Sequence, residues 1–364
     1  MIYFFLILII LIIGHELGHF LTSRLFKVDV EEFGFGFPPR LAFIKKNDTI
    51  YSLNLIPLGG FVKIKGENGK AEIGDKTNFS NQKIWKRALI VVAGVTFNIV
   101  LSFVILSFLF SFGMPTLGDT TDVDQLIKNG ATIKSKEIMV TEIAKSSPAE
   151  QHLKLDDKII GFGIPNSFMA DIYTIKGFQS FVNMNKGKEI LLKVERNNQI
   201  SNVTLIPRIL SPKGEGAVGI AYTGAILYTY PFGRNFIEAG KYISQTITAM
   251  FNSLGKAFVS IFNFKTASKE VAGPVGIANM TGKISRMGLP FFFAFMASLS
   301  INLAFMNLLP IPVLDGGKLF FLLLEKIKGS PLNRKIENYA TIGGFVFLMS
   351  LVLIVTVKDI INLF

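Results

Sequence analysis

Four apolar stretches constrain this chain more than any other feature. Residues 1–25, 88–113, 289–309 and 342–361 are dominated by Leu, Ile, Val and Phe, and no charged side chain occurs between 88 and 112. A helix needs about 20 such residues to cross a hydrocarbon layer about 30 Å thick, and all four suffice. Only 18% of the 364 residues are charged and 50% are hydrophobic, against about a quarter charged in a soluble domain. The chain therefore reads as a four-span membrane protein rather than a soluble enzyme. The first apolar run gives way to Gly14-His15-Glu16 instead of a small-residue cleavage site, so it is expected to be a retained span, not a signal peptide.

Charge sets the expected orientation. The formal net charge is +12, but no basic helix, stacking-aromatic cluster or finger spacing accompanies it, so nucleic acid is not the expected partner. Residues 21–87 hold 12 Lys or Arg against 7 Asp or Glu, and residues 310–341 carry Lys318, Lys326, Lys328, Arg334 and Lys335. By the positive-inside tendency both loops are cytoplasmic, with both termini and the 114–288 segment extracytoplasmic. Cysteine is absent, which excludes disulfides, thiolate metal sites and a Cys nucleophile.

The segments between the spans look globular. Alternation over 131–143, 157–163, 189–195 and 200–206 predicts strands, with a tight turn at Arg196-Asn197-Asn198 and helices over 147–153 and 174–182. Residues 114–225 thus form an α+β domain. The 226–288 segment is a linker whose pattern over 236–262 is helical and apolar on most faces, as in a membrane-surface or clamp helix. In the cytoplasmic loop 26–87, residues 41–66 alternate around Lys46-Asn47-Asp48 and predict a β-hairpin.

The chemistry is concentrated in His15-Glu16-Leu17-Gly18-His19. On a helix, residues i and i+4 share a face, so both imidazoles can reach one metal ion. Glu16 sits beside them, placed to act as general base toward a water. The alternative is a pair of buried histidines packing a helix, but an ionisable Glu within an apolar span is functional by default. Histidine occurs three times in the chain; the third, His152, reads as a surface residue of the extracytoplasmic domain. A catalytic zinc takes three protein ligands, so the third is expected to be a carboxylate on the same membrane side. Asp315, in Leu314-Asp315-Gly316-Gly317 after the third span, meets that requirement; taken alone it would read as a helix cap, and the two-histidine site on the same membrane side turns the reading to ligand.

These segments resemble the site-2 protease family of intramembrane zinc metalloproteases. The His15-to-Phe20 segment and Asn307-Leu308-Leu309-Pro310-Ile311-Pro312-Val313-Leu314-Asp315-Gly316-Gly317 carry the likeness, which is nearest to the bacterial regulator-of-sigma-E protease branch. Phe33-Gly34-Phe35-Gly36-Phe37-Pro38 and Leu58-Gly59-Gly60-Phe61-Val62-Lys63 are similar to the family's first cytoplasmic loop, Ala93-Gly94 through Asn98 to its second span, and Gly273-Pro274-Val275-Gly276-Ile277 to the segment before the third. Ser147-Pro148-Ala149 through Asp156-Asp157-Lys158-Ile159-Ile160 resembles a PDZ module, with Asp156-Asp157 at its usual Gly-Asp and Gly216-Ala217-Val218-Gly219 at its carboxylate loop. Lys318 stands where the family often has His, and Val95 where it has Pro.

The resemblance implies a polytopic α-helical membrane protein with four transmembrane helices, an inserted α+β PDZ-like extracytoplasmic domain and a cytoplasmic membrane-associated β-hairpin. It implies a bacterial inner-membrane location and Zn2+ held by His15, His19 and Asp315, with Glu16 catalytic. Asn307, Pro310, Pro312, Gly59 and Gly60 would line the path of single-span membrane protein substrates, such as truncated anti-sigma factors or remnant signal peptides. The competing reading is a non-proteolytic PDZ-bearing membrane scaffold or a zinc transporter.

Overall fold

The computed structural model describes residues 2–67, 74–117, 123–165, 170–171, 175–196, 199–261 and 273–361. The chain divides into two units, one of residues 1–105, 240–285 and 295–364, the other of residues 106–239 and 286–294. The expected turn at Asn197-Asn198 lies outside the described residues.

The first unit opens with α1 (Ile2–Leu25). Although apolar on every face, α1 buries one stripe: Phe4, Ile7, Leu11, Gly14, His15, Gly18 and His19. That spacing of three and four residues is one helical face, while Ile2, Leu6, Ile10 and Leu21 stay exposed, as lipid-facing positions would. The chain then forms β1 (Val30–Lys46) and β2 (Thr49–Ile64), joined at Asn47-Asp48, both at positive φ. Asn and Asp tolerate that left-handed conformation, which tight hairpin turns demand. The hairpin is longer than the expected 41–66 and more elaborate. Lys46 pairs with Thr49 and Ala42 with Leu53, yet Phe33 pairs with both Tyr51 and Val62. The two strands therefore act as four segments in the spatial order 40–46, 49–54, 32–35 and 60–64. Phe20 of α1 seats the sheet edge-on against Phe33 and Tyr51, at 5.5 and 6.1 Å between ring centres.

After a single 3₁₀ turn at Phe79–Asn81 comes α2 (Ile84–Phe112). It begins four residues before the expected span because Ile84-Trp85-Lys86-Arg87 extends the helix beyond its apolar run. Gly18 lets α1 approach α2 closely: a Cβ there would lie 2.7 Å from the carbonyl carbon of Ala93. Small residues at helix crossings serve this purpose in membranes.

The second unit takes in β3 (Met114–Leu117), α3 (Val123–Lys128), β4 (Thr132–Ile143), β5 (Lys158–Gly163), β6 (Ala170–Asp171), α4 (Ile175–Met184), β7 (Ile190–Arg196), β8 (Gln199–Leu205) and β9 (Ile220–Thr229). The strands form one antiparallel sheet in the order β3-β9-β4-β5-β7-β8, with β6 beside β5. Alternate residues point to one face, so Ile138, Val140, Ile159, Ile190, Leu192 and Val194 meet Phe178 of α4 in a closed core. The helix expected over 147–153 is absent: Glu150 N–H bonds Ser147 O and Leu153 N–H bonds Ala149 O, giving consecutive turns. Pro148 supplies no donor, and Asp156 at φ 68° turns the chain away after one coil. Asp157 is buried beneath, held by both Arg196 Nε (2.6 Å) and Nη2 (2.7 Å).

Helix α5 (Arg234–Ile261) begins in the second unit and continues in the first. It corrects the expectation of a helix apolar on most faces: Lys241, Ser244, Gln245 and Thr248 make an exposed polar stripe, while Ala239 and Ile243 are buried. The chain ends with α6 (Pro274–Met287), α7 (Leu289–Leu308), α8 (Asp315–Lys328) and α9 (Arg334–Ile361). Among the described residues α1, α2, α7 and the 335–361 part of α9 are long and apolar enough to cross a membrane.

Candidate metal centre

His15 and His19 lie one turn apart on the buried stripe of α1, as their spacing requires. Their Nε2 atoms are 3.2 Å from each other, and Asp315 Oδ2 lies 3.0 Å from His15 Nε2 and 3.2 Å from His19 Nε2. The trio is the one cluster of three His, Asp or Glu among the described residues able to share an ion. His19 Nδ1 sits 2.8 Å from the Ile90 carbonyl oxygen. That bond places the proton on Nδ1 and leaves a lone pair on Nε2, aimed at the other two groups.

Two glycines bring Asp315 there from 300 residues away. A Cβ on Gly316 would collide with the carbonyl oxygens of Leu308 and Leu309, and one on Gly317 would lie 2.6 Å from Pro312 Cα. Only with both side chains missing can the 308–314 turn fold back on the first turn of α8. The helix-cap alternative for Asp315 falls: the cap position is Leu314, no side chain bonds there, and the Asp315 carboxylate faces the histidines. A third glycine, Gly94 of α2, backs the imidazoles, since a Cβ there would lie 2.8 Å from His15 Cε1 and closer still to His19 Nε2.

The trio opens into a cavity of about 490 Å³ that Glu16, Gly59, Gly60, Phe61, Asn307 and Lys318 help to line. A Cβ on Gly60 would touch Glu16 Cγ at 3.2 Å, so the bare backbone at that position leaves the carboxylate its space. Asn307 Nδ2 reaches to 3.4 Å from His15 Nε2. Pro310 and Pro312, expected on the substrate path, are non-helical and neither lines this cavity. Pro312 borders a second cavity of about 450 Å³ that shares Glu67, Val91, Val313 and Lys318 with the first. His152 is exposed in the second unit. Sequence reasoning missed the pair at the shared wall, Lys318 Nζ to Glu67 Oε1 at 2.7 Å. Burial works against the Lys318 ammonium, but the carboxylates of Glu67, Asp315 and Glu16 hold its pKa above the ordinary value. Sequence reasoning named Asn98 in the second-span likeness but gave it no role; its amide nitrogen lies 3.4 Å from His15 Nδ1.

Residues 3–351 match peptidase family M50. The chain belongs to that family. Like M50 members in general, it is a zinc metalloprotease of the site-2 protease type. It is 32% identical, over 98% of its own length and 96% of the relative's, to a Fusobacterium nucleatum protein named as an inferred zinc metalloprotease. It is 28% identical to the regulator of sigma-W protease RasP of Bacillus subtilis, over 97% of this chain and 96% of that one. A chloroplast membrane metalloprotease of Arabidopsis thaliana, ARASP, is also 28% identical over 98% of this chain and 78% of its own. The trio suits the M50 metal. Ligands 2.0–2.2 Å from a tetrahedral zinc stand about 3.3 Å apart, close to the 3.0–3.2 Å separations here. Apart from the two imidazoles no donor among the described residues reaches Asp315 Oδ2.

Proposed function

We propose that His15, His19 and Asp315 hold the zinc ion and that Glu16 is the general base of an endopeptidase acting on single-span membrane proteins. The convergence of those three ligand atoms, with Glu16 beside them in the same cavity, carries this reading. Zinc, when bound, acidifies water and polarises a carbonyl. Glu16 takes a proton from the attacking water and passes it to the departing amide nitrogen. Asn307, with its amide at the mouth of the trio, donates to the scissile carbonyl. A substrate helix has to be drawn out into an extended strand before its backbone is open to attack. Segment 60–64 is an outer segment of the four-segment sheet and lines the cavity, so it offers an edge for strand addition. Gly59 and Gly60 keep the start of that edge free of side chains, while Pro310 and Pro312 fix the non-helical wall after α7 rather than touch the peptide.

Residues 114–225 serve as a PDZ-like module. Their Ser147-Pro148-Ala149 turn, Asp156 at positive φ where such modules have Gly, and Gly219 at φ 80° ahead of β9 support this. The basic loops support a zinc site facing the cytoplasm of a bacterial inner membrane, with the PDZ-like module and both termini outside. The relative named a regulator of sigma-W protease supports truncated anti-sigma factors as one substrate class, beside remnant signal peptides.

The test separates metal from base. Purified Glu16→Gln should keep one zinc per chain while cleavage of a single-span reporter falls by about 10²–10⁴-fold. His15→Ala, His19→Ala and Asp315→Ala should each lose the metal. Full zinc in Asp315→Ala would remove it as a ligand; zinc without cleavage by the wild type would favour a scaffold or transporter.

A further inference from the structure

A histidine that binds metal through one ring nitrogen keeps a proton on the other, and that N–H needs an acceptor. His19 meets this need with the Ile90 carbonyl. His15, one turn earlier on α1, meets only side chains among the described residues: His19, Asn98, Asn307 and Asp315. Its Nδ1 faces Asn98, whose Nδ2 is 3.4 Å away. With a proton on His15 Nδ1 that pairing would oppose two donors, while the other end of the same amide, Asn98 Oδ1, is buried with no partner. A half-turn of the carboxamide exchanges its nearly isosteric nitrogen and oxygen, which ends the opposition of donors and gives Oδ1 the His15 Nδ1–H to accept from. Asn98 has nowhere else to go. It is wholly buried, and its backbone carbonyl accepts from Ser102 Oγ and Ser300 Oγ at 2.9 Å each, which fixes that turn of α2 against α7.

We propose that Asn98 is the positioning residue of His15: its side-chain oxygen accepts from His15 Nδ1–H and so directs Nε2 to the zinc. This rests on His15 being a zinc ligand through Nε2, as read above. A polar residue at a helix crossing also acts as plain packing glue in membranes, so the test has to read the metal and the ring rather than stability.

The experiment uses the full-length purified chain and zinc competition against a chelator. Asn98→Leu removes the acceptor at similar size and should weaken zinc binding by about 10–100-fold. Asn98→Asp restores an oxygen acceptor and should bind at least as tightly as wild type. Wild-type affinity in Asn98→Leu would overturn the proposal. Because the chain has three histidines, ¹⁵N-imidazole spectra of the zinc-loaded wild type can be assigned ring by ring. His15 should carry its proton on Nδ1, with that resonance moving in Asn98→Asp. Metal on Nδ1 would overturn the proposal even if Asn98→Leu did not fold. His15→Ala separates the two failures. Wild-type zinc affinity there defeats the ligand reading itself, whereas lost zinc beside an unaffected Asn98→Leu defeats only the role of Asn98.

Discussion

Gly94 shows how closely the site depends on single atoms. Its missing side chain is the space in which the imidazoles of His15 and His19 stand, and a methyl there would lie 2.8 Å from His15 Cε1. Neither ring can retreat, because His19 is tied to Ile90 O and both are on the buried stripe of α1. Gly94→Ala should therefore weaken zinc binding by at least about tenfold, the scale on which displaced ligand partners act, measured by chelator competition. Gly343→Ala is the control. A Cβ at Gly343, within α9, meets nothing within 4 Å, and removing a helical glycine should be neutral or stabilise by about 0.5–1 kcal/mol.

Asp315 is delivered by an element as much as by its own turn. Helix α8 is anchored to α2 by a bidentate pair, Arg87 Nη1 to both oxygens of Glu325 at 2.8 and 3.0 Å, with each side chain about 15% exposed. A planar guanidinium holding both carboxylate oxygens fixes direction as well as distance. Arg87→Ala should cost about 1.5–3 kcal/mol, the range for hydrogen bonds to a charged group, read by chemical unfolding in detergent. Arg87→Lys, with one point of attachment, should recover part of it. If α8 loosens, zinc affinity should fall in parallel with stability; unchanged affinity would mean that the Gly316-Gly317 turn alone places Asp315.

At the scale of the whole molecule, two outcomes follow from the proposed topology. The chain has no cysteine, so Lys188→Cys should react with an impermeant thiol reagent on intact cells and Lys328→Cys should not. Labelling of both from outside would overturn the four-span arrangement with both termini out. In that proposed topology residues 114–225, the PDZ-like module, would be separated from the zinc site by the membrane, so the module's expected role is to control which substrates reach the site rather than the chemistry. The fold indicates where to remove it. Met114 pairs with Tyr228 and Leu117 with Ala225, so replacing 118–224 by a short linker leaves β3 and the end of β9 as a hairpin. That variant should still cut a pre-truncated substrate and should also cut the full-length one that wild type spares. Loss of cleavage of the short substrate, with zinc retained, would make the module part of substrate presentation.

The sequence by itself determined whatever depends on neighbours along the chain. Helical rise and hydrocarbon thickness place the spans from composition alone, and the period of 3.6 puts His15 and His19 on one face. Alternation likewise found β4, β5, β7 and β8 to within a residue or two. The short helix over 147–153 failed because a single turn carries too little periodicity to separate helix from turns. The hairpin was visible locally at Asn47-Asp48, but its four-segment order was not, since Phe33 pairs with Val62 only after the strands fold back. Packing alone set the Asp315 carboxylate beside the two imidazoles rather than at the cap, because that depends on how closely the turn after α7 approaches α1. It likewise revealed the Ile90 carbonyl behind His19, Asn98 behind His15 and the Glu67 carboxylate on Lys318. Each joins residues from separate elements, and no spacing records such a contact, since it exists only once the helices have been brought within a few ångströms of one another.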